Sequence, residues 1–502
     1  MRVRLSLFLS VAALVGGPAS AETLRDALAK AYQNNPTLTA QRAAQRANDE
    51  NVPIARAGGR PTVSVSGGVN ENLIRSGNNF TTPERLAQGN ASVTLPLYQG
   101  GRVRNGVRAA EIRVDAGAAN LRGVEASTFT DVVSAYNNVL RDEAIVSLNR
   151  QNVRVLETNL RASRDRFEVG DLTRTDVAQS EARLSLARAQ LQTVQANLIA
   201  SRENYVRLVG TAPDALEAPP PLPALPTAPD TAVEVALRDN PTLYAARRVR
   251  EATDYDVRVA RAGRLPQVGV TAGQNYLNYL GSLGAGTGLG VGQTGTSTAI
   301  GLSLSLPIFQ GGLPAARIRQ TQELRGQAIE QATAAERQVV ATTRSAFAIW
   351  RSSQEVIKSA EAAVSANKLS LEGVRAENSV GTRTILDILN AEQELLNSQV
   401  TLVTARRDAY VAGFALLAAM GHAEADDLGL DGGPLYDPTT HYRAVRNSIS
   451  DFNSGRRADP VAPGTTQIPA QDASVTRPLE PMLESDVDRT PALTTGVDRP
   501  RP

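Results

Sequence analysis

The sequence predicts a mostly α-helical chain with a β-barrel portion, written as two long helical repeats that carry four strands in all. Three observations predict it. "NNPTLTAQRAAQ" at 34–45 returns as "DNPTLYAARRVR" at 239–250, 205 positions later. "LPLYQGG" at 95–101 returns as "LPIFQGG" at 306–312, and "FEVGDLTRTDV" at 167–177 as "NSVGTRTILDI" at 378–388, each 211 positions later. Long Pro-free stretches with apolar residues every three or four positions follow each "QGG". A period this long marks a duplicated domain, because solenoid units repeat at much shorter intervals.

The first 21 residues read as a secretory signal. Arg2 and Arg4 precede an apolar run from Leu5 to Val15, and Ala19-Ser20-Ala21 fits the small-x-small cleavage rule. Eleven apolar residues are too few to span a bilayer as a helix. Without Arg2 and Arg4 the basic and acidic residues balance at 51 each, so no excess of positive charge points to nucleic acid. The chain has no Cys, which excludes disulfides, thiolate metal sites and a Cys-linked lipid anchor. No later stretch reaches the length of a transmembrane helix, but strands can still carry an exported chain into a membrane.

The first repeat covers 22–210 and the second 231–421. Each opens on helix (about 22–58 and 231–262). Strands follow, at about 62–97 and 267–308. Val63, Val65 and Val69 alternate with small polar residues, as Ile300, Leu302, Leu304 and Leu306 do with Ala299, Gly301, Ser303 and Ser305. Period two predicts one apolar and one small, polar face. Gly-rich loops (71–89, 278–295) separate the paired strands, and the six residues that change the offset belong between Pro266 and Leu306. Tunnel-length helical regions come next, about 100–209 and 311–420, each broken once by the repeated turn. At 1.5 Å per residue the longer arms reach about 100 Å, with coiled-coil spacing.

Pro and Gly mark the joints. Pro61 and Pro266 stand where helix passes into strand, and Pro96 and Pro307 where strand passes back. Gly100, Gly101, Gly311 and Gly312 then let the backbone turn into the long helices. Residues 211–230 form a Pro-rich linker and 422–452 a C-terminal segment. The stretch 453–502 contains no aromatic residue and is rich in Pro, so it is expected to be disordered, and dispensable beyond about 455.

Four strands cannot close a barrel, and lipid does not tolerate an open sheet edge. The fold therefore demands an oligomer: two chains supply eight strands, three supply twelve, and strand number alone does not choose.

With "ETLRDALAKAYQNNPTL", the paired "LP-aromatic-QGG" joints and the two "VG…T…D" turns in view, residues 22–421 resemble the TolC family of outer-membrane channel-tunnels. The resemblance implies a homotrimer in outer-membrane lipid, with a 12-stranded barrel and a periplasmic tunnel of helices. It implies an equatorial role for 422–452. It further implies a passive exit duct, without catalysis or cofactor, in the Gram-negative outer membrane. Its implied partners are a periplasmic adaptor protein and an inner-membrane exporter of RND or ABC type. Asp387 matches a tunnel-constricting aspartate, Asp176 with Thr175 a pair of the gate network, and Arg383 its ion-pairing arginine. Asn390 and Asn378 stand where the family has a second constricting Asp and a gating Tyr. Val169, Gly170, Leu172, Thr173, Val380, Gly381, Thr382 and Thr384 match the tips that face the adaptor.

Other readings are weaker. Asp176 and Asp387 also sit where an acid stabilises any helix start. Gly290, Gly292 and Gly295 spell a dinucleotide fingerprint without its strand-then-helix context. His422 and His441 are the only histidines, and the sequence assigns neither a clustered carboxylate partner, which argues against a metal site or a His-based triad. Tyr98 and Phe309 suit either an interfacial aromatic belt or local elbow packing. The competing function is a non-conducting coiled-coil spacer, which has no use for a barrel with a small, polar inner face. An enzyme lacks a nucleophile–base pair.

Overall fold

The computed structural model describes residues 21–74, 81–430, 435–455, 457 and 459–484. The signal segment therefore lies outside the described residues except for Ala21. Each repeat begins on short helices: α1 (Leu24–Asn34), α2 (Pro36–Asp49) and α3 (Asn51–Ala57) in the first, α6 (Pro229–Asp239) and α7 (Pro241–Ala262) in the second. The expected single helical segments are thus broken at Asn35-Pro36 and Asn240-Pro241. Asn35 Oδ1 accepts from Thr37 N at 2.8 Å, and Asn240 Oδ1 from Thr242 N at 3.0 Å, each capping a helix with Pro at its start. The same side chains donate to Leu208 O and Ala419 O, equivalent positions in the last turns of α5 (Arg174–Val209) and α9 (Ile385–Met420). One residue type thereby closes each repeat on itself.

The strands β1 (Thr62–Glu71), β2 (Arg85–Gln99), β3 (Gln267–Asn278) and β4 (Thr294–Ser305) form one antiparallel sheet in the order β1-β2-β3-β4. The register makes one face apolar. Val63, Val93, Ala272 and Ile300 stand in one row, and Leu95, Val270 and Leu302 in the next. The opposite face is small: Ser64, Ser92, Gly273 and Ala299 share a row, with Ser64 and Ser92 hydroxyls 2.9 Å apart. Val65, Ile300 and Leu304 are at least 70% exposed, so the apolar face has no cover among the described residues. Strands of this length suit a tilted crossing of a hydrocarbon core. Among the described residues no helix is long and apolar enough to cross a membrane. The six extra residues of the second repeat are shared equally: two lengthen β3, two lengthen the β3–β4 loop, and two extend β4 at its start.

Pro and Gly stand at or near each passage between helix and strand. Pro61 precedes β1, Pro266 precedes β3, and Pro307 follows β4. Pro96 lies inside β2, at a register shift between Pro96 and Tyr98. That is where Pro is tolerated in a strand, since a bulge removes the ladder bond it cannot make. Gly101 and Gly312, at φ of 82° and 85°, are the N-caps of α4 (Arg102–Glu168) and α8 (Leu313–Ser379). Gly100 and Gly311 also have positive φ; a Cβ on Gly100 would come within 2.8 Å of Leu265 Cβ. Tyr98 and Phe309 are both exposed at these elbows. Gly290 and Gly292 lie in the β3–β4 loop and Gly295 in β4; no helix follows, so the fingerprint has no phosphate cradle.

Both long helices run 67 residues, about 100 Å. Each turns back into a 36-residue partner, α5 or α9. A belt core joins Phe129, Val132, Tyr136 and Val139 of α4 to Leu24 and Leu28, to Leu198 and Tyr205, and to Phe414. Tyr136 OH lies 2.9 Å from Glu22 O and 2.8 Å from Glu217 O, and its one proton, shared between the two carbonyls, pins residue 22 and the linker to α4. Farther toward the turns, Leu148 packs with Val364, Leu371, Leu395 and Leu402, and Leu156 and Leu160 pack with Leu184 and Leu389. The two hairpins therefore lie side by side, α4 against α9. After α9, the short α10 (Thr439–Val445) returns toward α2, where His441 Nε2 is 3.2 Å from Glu50 Oε1.

Two expectations are corrected. Both histidines have carboxylate neighbours: His422 Nε2 lies 3.3 Å from Asp239 and His441 meets Glu50. Asp239 and Glu50 are distant in sequence, which hid them, whereas Asp427, 3.9 Å from His422 Nδ1, is one of the local acids read as a solvated face; no group of three or more metal-ligating side chains occurs among the described residues. The tail expected to be disordered is docked over its described part. Leu483 is 3% exposed within the Leu148–Leu402 cluster, and Arg202 pairs with Asp472 at 3.1 Å. Composition measures what a segment buries by itself, whereas this one is held by groups that the helices supply.

Candidate functional site at the paired helical tips

The two hairpin tips have the same construction. α4 ends at Glu168 and α8 at Ser379; Val169 and Val380 follow as C-caps. Gly170 and Gly381 then take φ of 81°, the left-handed region where glycine carries no Cβ penalty. Asp171 N donates back to Arg166 O at 2.9 Å, and Thr382 N to Glu377 O at 3.1 Å. Thr173 and Thr384 are the N-caps that restart the helices. Thr173 Oγ1 is 2.7 Å from Asp176 Oδ2, and Thr384 Oγ1 is 2.8 Å from Asp387 Oδ2. The same oxygens accept from Thr173 N at 2.9 Å and Thr384 N at 3.0 Å, completing a reciprocal capping box in each tip. These bonds hold both carboxyls below the usual Asp range, so both are anionic at neutral pH.

The tips differ around this frame. At the second, Arg383 Nε donates to Glu377 Oε2 at 2.7 Å, and Arg383 Nη1 lies 3.9 Å from Asp387 Oδ1. Asn378 Nδ2 donates to Arg383 O at 2.7 Å. Arg383 is thus engaged with its own hairpin in the single chain. At the first tip Leu172 occupies the matching position, half-buried, and Thr175 is exposed on the first turn of α5. Val169 is 80% and Val380 74% exposed, and among the described residues nothing lies within 4 Å of a Cβ placed on Gly170 or Gly381. The tips present apolar side chains and bare backbone to their surroundings.

Above the tips stands a rung that sequence reading missed. Arg164 bonds Glu181 at 2.6 Å across the first hairpin, and Arg375 bonds Glu392 across the second. The 211-residue offset relates the two pairs, and that offset was the available signal. Asn390, which stands where the family has a second constricting Asp, accepts from Arg183 Nη2 at 2.7 Å and ties one hairpin to the other.

The family model described as "Outer membrane efflux protein" matches residues 27–211 and 232–422, the two repeats. The chain belongs to that family. It is 36% identical over 445 residues to outer membrane efflux protein BepC of Brucella suis biovar 1, covering 89% of this chain and 95% of BepC. It is 29% identical over 312 residues to outer membrane protein TolC of Escherichia coli, covering 59% and 62% of the two chains. The fold matches the crystal structure of the CmeC outer membrane channel of Campylobacter jejuni with a TM-score of 0.70 at 14% identity, over 90% of this chain and 98% of that one. This efflux protein is placed by its family in the outer membrane of a Gram-negative envelope, with its long helices in the periplasm.

Proposed function

We propose that three copies of this chain close a 12-stranded barrel and a tunnel of six hairpins, a passive exit duct for a tripartite efflux or type I secretion system. One observation carries the reading: a four-stranded sheet with open edges and an uncovered apolar face, set on hairpins 67 residues long. A spacer needs the hairpins but not the sheet. Twelve strands enclose a bore that eight would fill with side chains. The tips, through Val169, Gly170, Leu172, Thr173, Val380, Gly381, Thr382 and Thr384, dock a periplasmic adaptor that recruits an inner-membrane exporter of RND or ABC type.

Asp387 and, more weakly, Asp176 line the narrow mouth. Threefold symmetry repeats each carboxylate three times near one axis, and charges in a partly dehydrated constriction are screened less than at an open surface. The mouth therefore prefers cations and is blocked by divalent cations from the periplasmic side. Arg383, with Thr175 and Asp176 in the same network, holds it narrow until an adaptor engages.

Native mass spectrometry and planar-bilayer recording test this together. The expected species is a conducting trimer. Asp387→Ala is expected to lose cation preference and divalent block with the trimer intact, and Arg383→Ser to raise resting conductance. A non-conducting trimer favours the spacer; full selectivity in Asp387→Ala returns that residue to a helix-capping role only.

A further inference from the structure

The described tail makes contacts that a passive terminus has no reason to make. From 471 to 484 it runs across all four tunnel helices. On α5, Glu203 accepts from Gln471 N at 3.0 Å, and Arg202 donates to Asp472 O at 2.9 Å and Ser474 O at 2.8 Å. On α4, Arg150 Nη2 donates to Ala473 O at 2.7 Å. On α9, Gln399 Nε2 donates to Leu483 O at 2.8 Å and Arg406 pairs with Glu480. On α8, Lys368 Nζ donates to Met482 O at 2.6 Å and Glu484 O at 2.5 Å. Leu483 is buried beside Leu148 of α4, Val364 of α8 and Leu402 of α9, and Leu479 and Val475 edge a cavity of about 250 Å³ together with Leu140, Val403 and Tyr410.

The chemistry is that of peptide recognition. Long cationic and amide side chains grip main-chain carbonyls, which fixes path and register. One apolar anchor, Leu483, supplies specificity. By the repeat offset, the grip on α5 at Arg202 and the grip on α9 at Gln399 stand fourteen residues apart along equivalent helices, about 20 Å. A segment fastened to α4 and α5 at one end and to α8 and α9 at the other resists sliding of one hairpin past its neighbour.

We propose that the four helices build a peptide-binding groove whose occupant is the chain's own segment 471–484, and that the docked segment clasps the two hairpins in their closed register. Docking stands on the geometry alone; the effect on closure rests on the duct reading. A strip of chain across the helices cannot lie in a conducting bore, so it lies on the outer wall.

The chain has no native Cys, so single cysteines report cleanly. In full-length assembled protein, Leu483→Cys is expected to react with a maleimide at least about tenfold more slowly than Ser454→Cys, which lies on an exposed stretch. Combining Leu483→Cys with Gln399→Ala and Lys368→Ala removes three carbonyl grips and is expected to speed labelling about tenfold or more, with oligomer mass unchanged. Without any cysteine, Gln399→Ala with Lys368→Ala is expected to raise resting conductance. Hydrogen exchange across 471–484 in the unmodified protein guards against undocking by the Cys itself. Equal labelling of the two cysteines together with unprotected amides overturns the groove, and so does protection that the grip variants leave unmoved. Released labelling with unchanged resting conductance overturns the clasp. A wild-type protein that never conducts defeats the duct reading while the labelling still reads the groove.

Discussion

α4 and α8 descend from one ancestral helix, have the same length and carry the same turn, yet they are differently buried. α4 buries 25 of its 67 residues and α8 only 11. Their partners show the reverse: α9 buries 17 of 36 and α5 nine. In the chain α4 faces α9, and that contact has an equivalent, α8 facing α5, which one chain cannot make. Ile145 of α4 packs against both main cores, whereas its equivalent Val356 is 45% exposed; Ile349 is 58% exposed. The difference is the one the proposed trimer requires: in that ring the α5 of a neighbouring copy would cover α8, as a neighbour's strands would pair with β1 and β4.

The strongest way to break the comparison is to charge the open face. Val356→Asp is expected to abolish the trimer and yield monomer on native mass spectrometry, because each interface would bury an unpaired carboxylate at a cost of several kcal/mol. A trimer that survives would leave α8 exposed in the assembly and defeat the ring argument. The rung comes next. Arg375 and Glu392 are each 8% exposed, whereas Arg164 and Glu181 are 56% and 48% exposed. Glu392→Ala is expected to destabilise by about 3–5 kcal/mol in denaturant unfolding, since it breaks a buried ion pair. Glu181→Ala is expected to cost about 1 kcal/mol or less if its rung stays wet in the assembly. Equal large losses would show that a neighbouring hairpin covers the first rung too.

A third pair sits in the opening helices. Asp49 and Asp254 occupy equivalent positions 205 residues apart. Asp254 is paired with Arg325 and 41% exposed; Asp49 is fully buried, with Gln45 Nε2 3.0 Å from its Oδ1. Burial pushes the Asp49 carboxyl up to about 6 from 3.8, against the smaller pull of His441 and the Gln45 bond. A carboxyl raised in the folded state favours folding as it takes up its proton. Asp49 therefore adds stability as pH falls from about 6 toward 4, by about 3 kcal/mol in all. Asp49→Asn is expected to raise the neutral-pH Tm and flatten the profile in that window, where Asp254→Asn changes Tm little. A profile unchanged by Asp49→Asn would show that Asp49 contributes none of the pH dependence.

Much of this was legible in the sequence because the chain states it twice. The repeat offsets marked the two turns between long helices and the Pro and Gly positions beside the strands, and alternation around Val63 and Ile300 marked the sheet faces. Long-range polar pairs were not legible: His441 with Glu50, Arg183 with Asn390 and Lys368 with the tail are separated by 100 residues or more, and nothing local marks them. The tail was misread for a related reason, since most of its bonds are taken by main-chain carbonyls that any sequence would offer. The rungs could have been found by laying Arg164 over Arg375 and Glu181 over Glu392.

The smallest expected effect separates the tips themselves. Both restart their helices on a threonine capping box, so Thr173→Ala and Thr384→Ala each remove a side-chain acceptor from an N-terminal backbone amide, worth about 1 kcal/mol. The second tip has further support: Asn378 holds Arg383 O, and Arg383 reaches Glu377 on the preceding helix. The first has Leu172 where that arginine stands. Thr173→Ala is therefore expected to fray its tip further than Thr384→Ala frays the other, seen as faster amide exchange over 170–177 than over 381–388. Arg383→Ser together with Thr384→Ala is expected to erase the difference. Should the two single variants exchange alike, the Arg383–Glu377 bond adds nothing to local order, and the asymmetry of the tips would matter only where three copies meet.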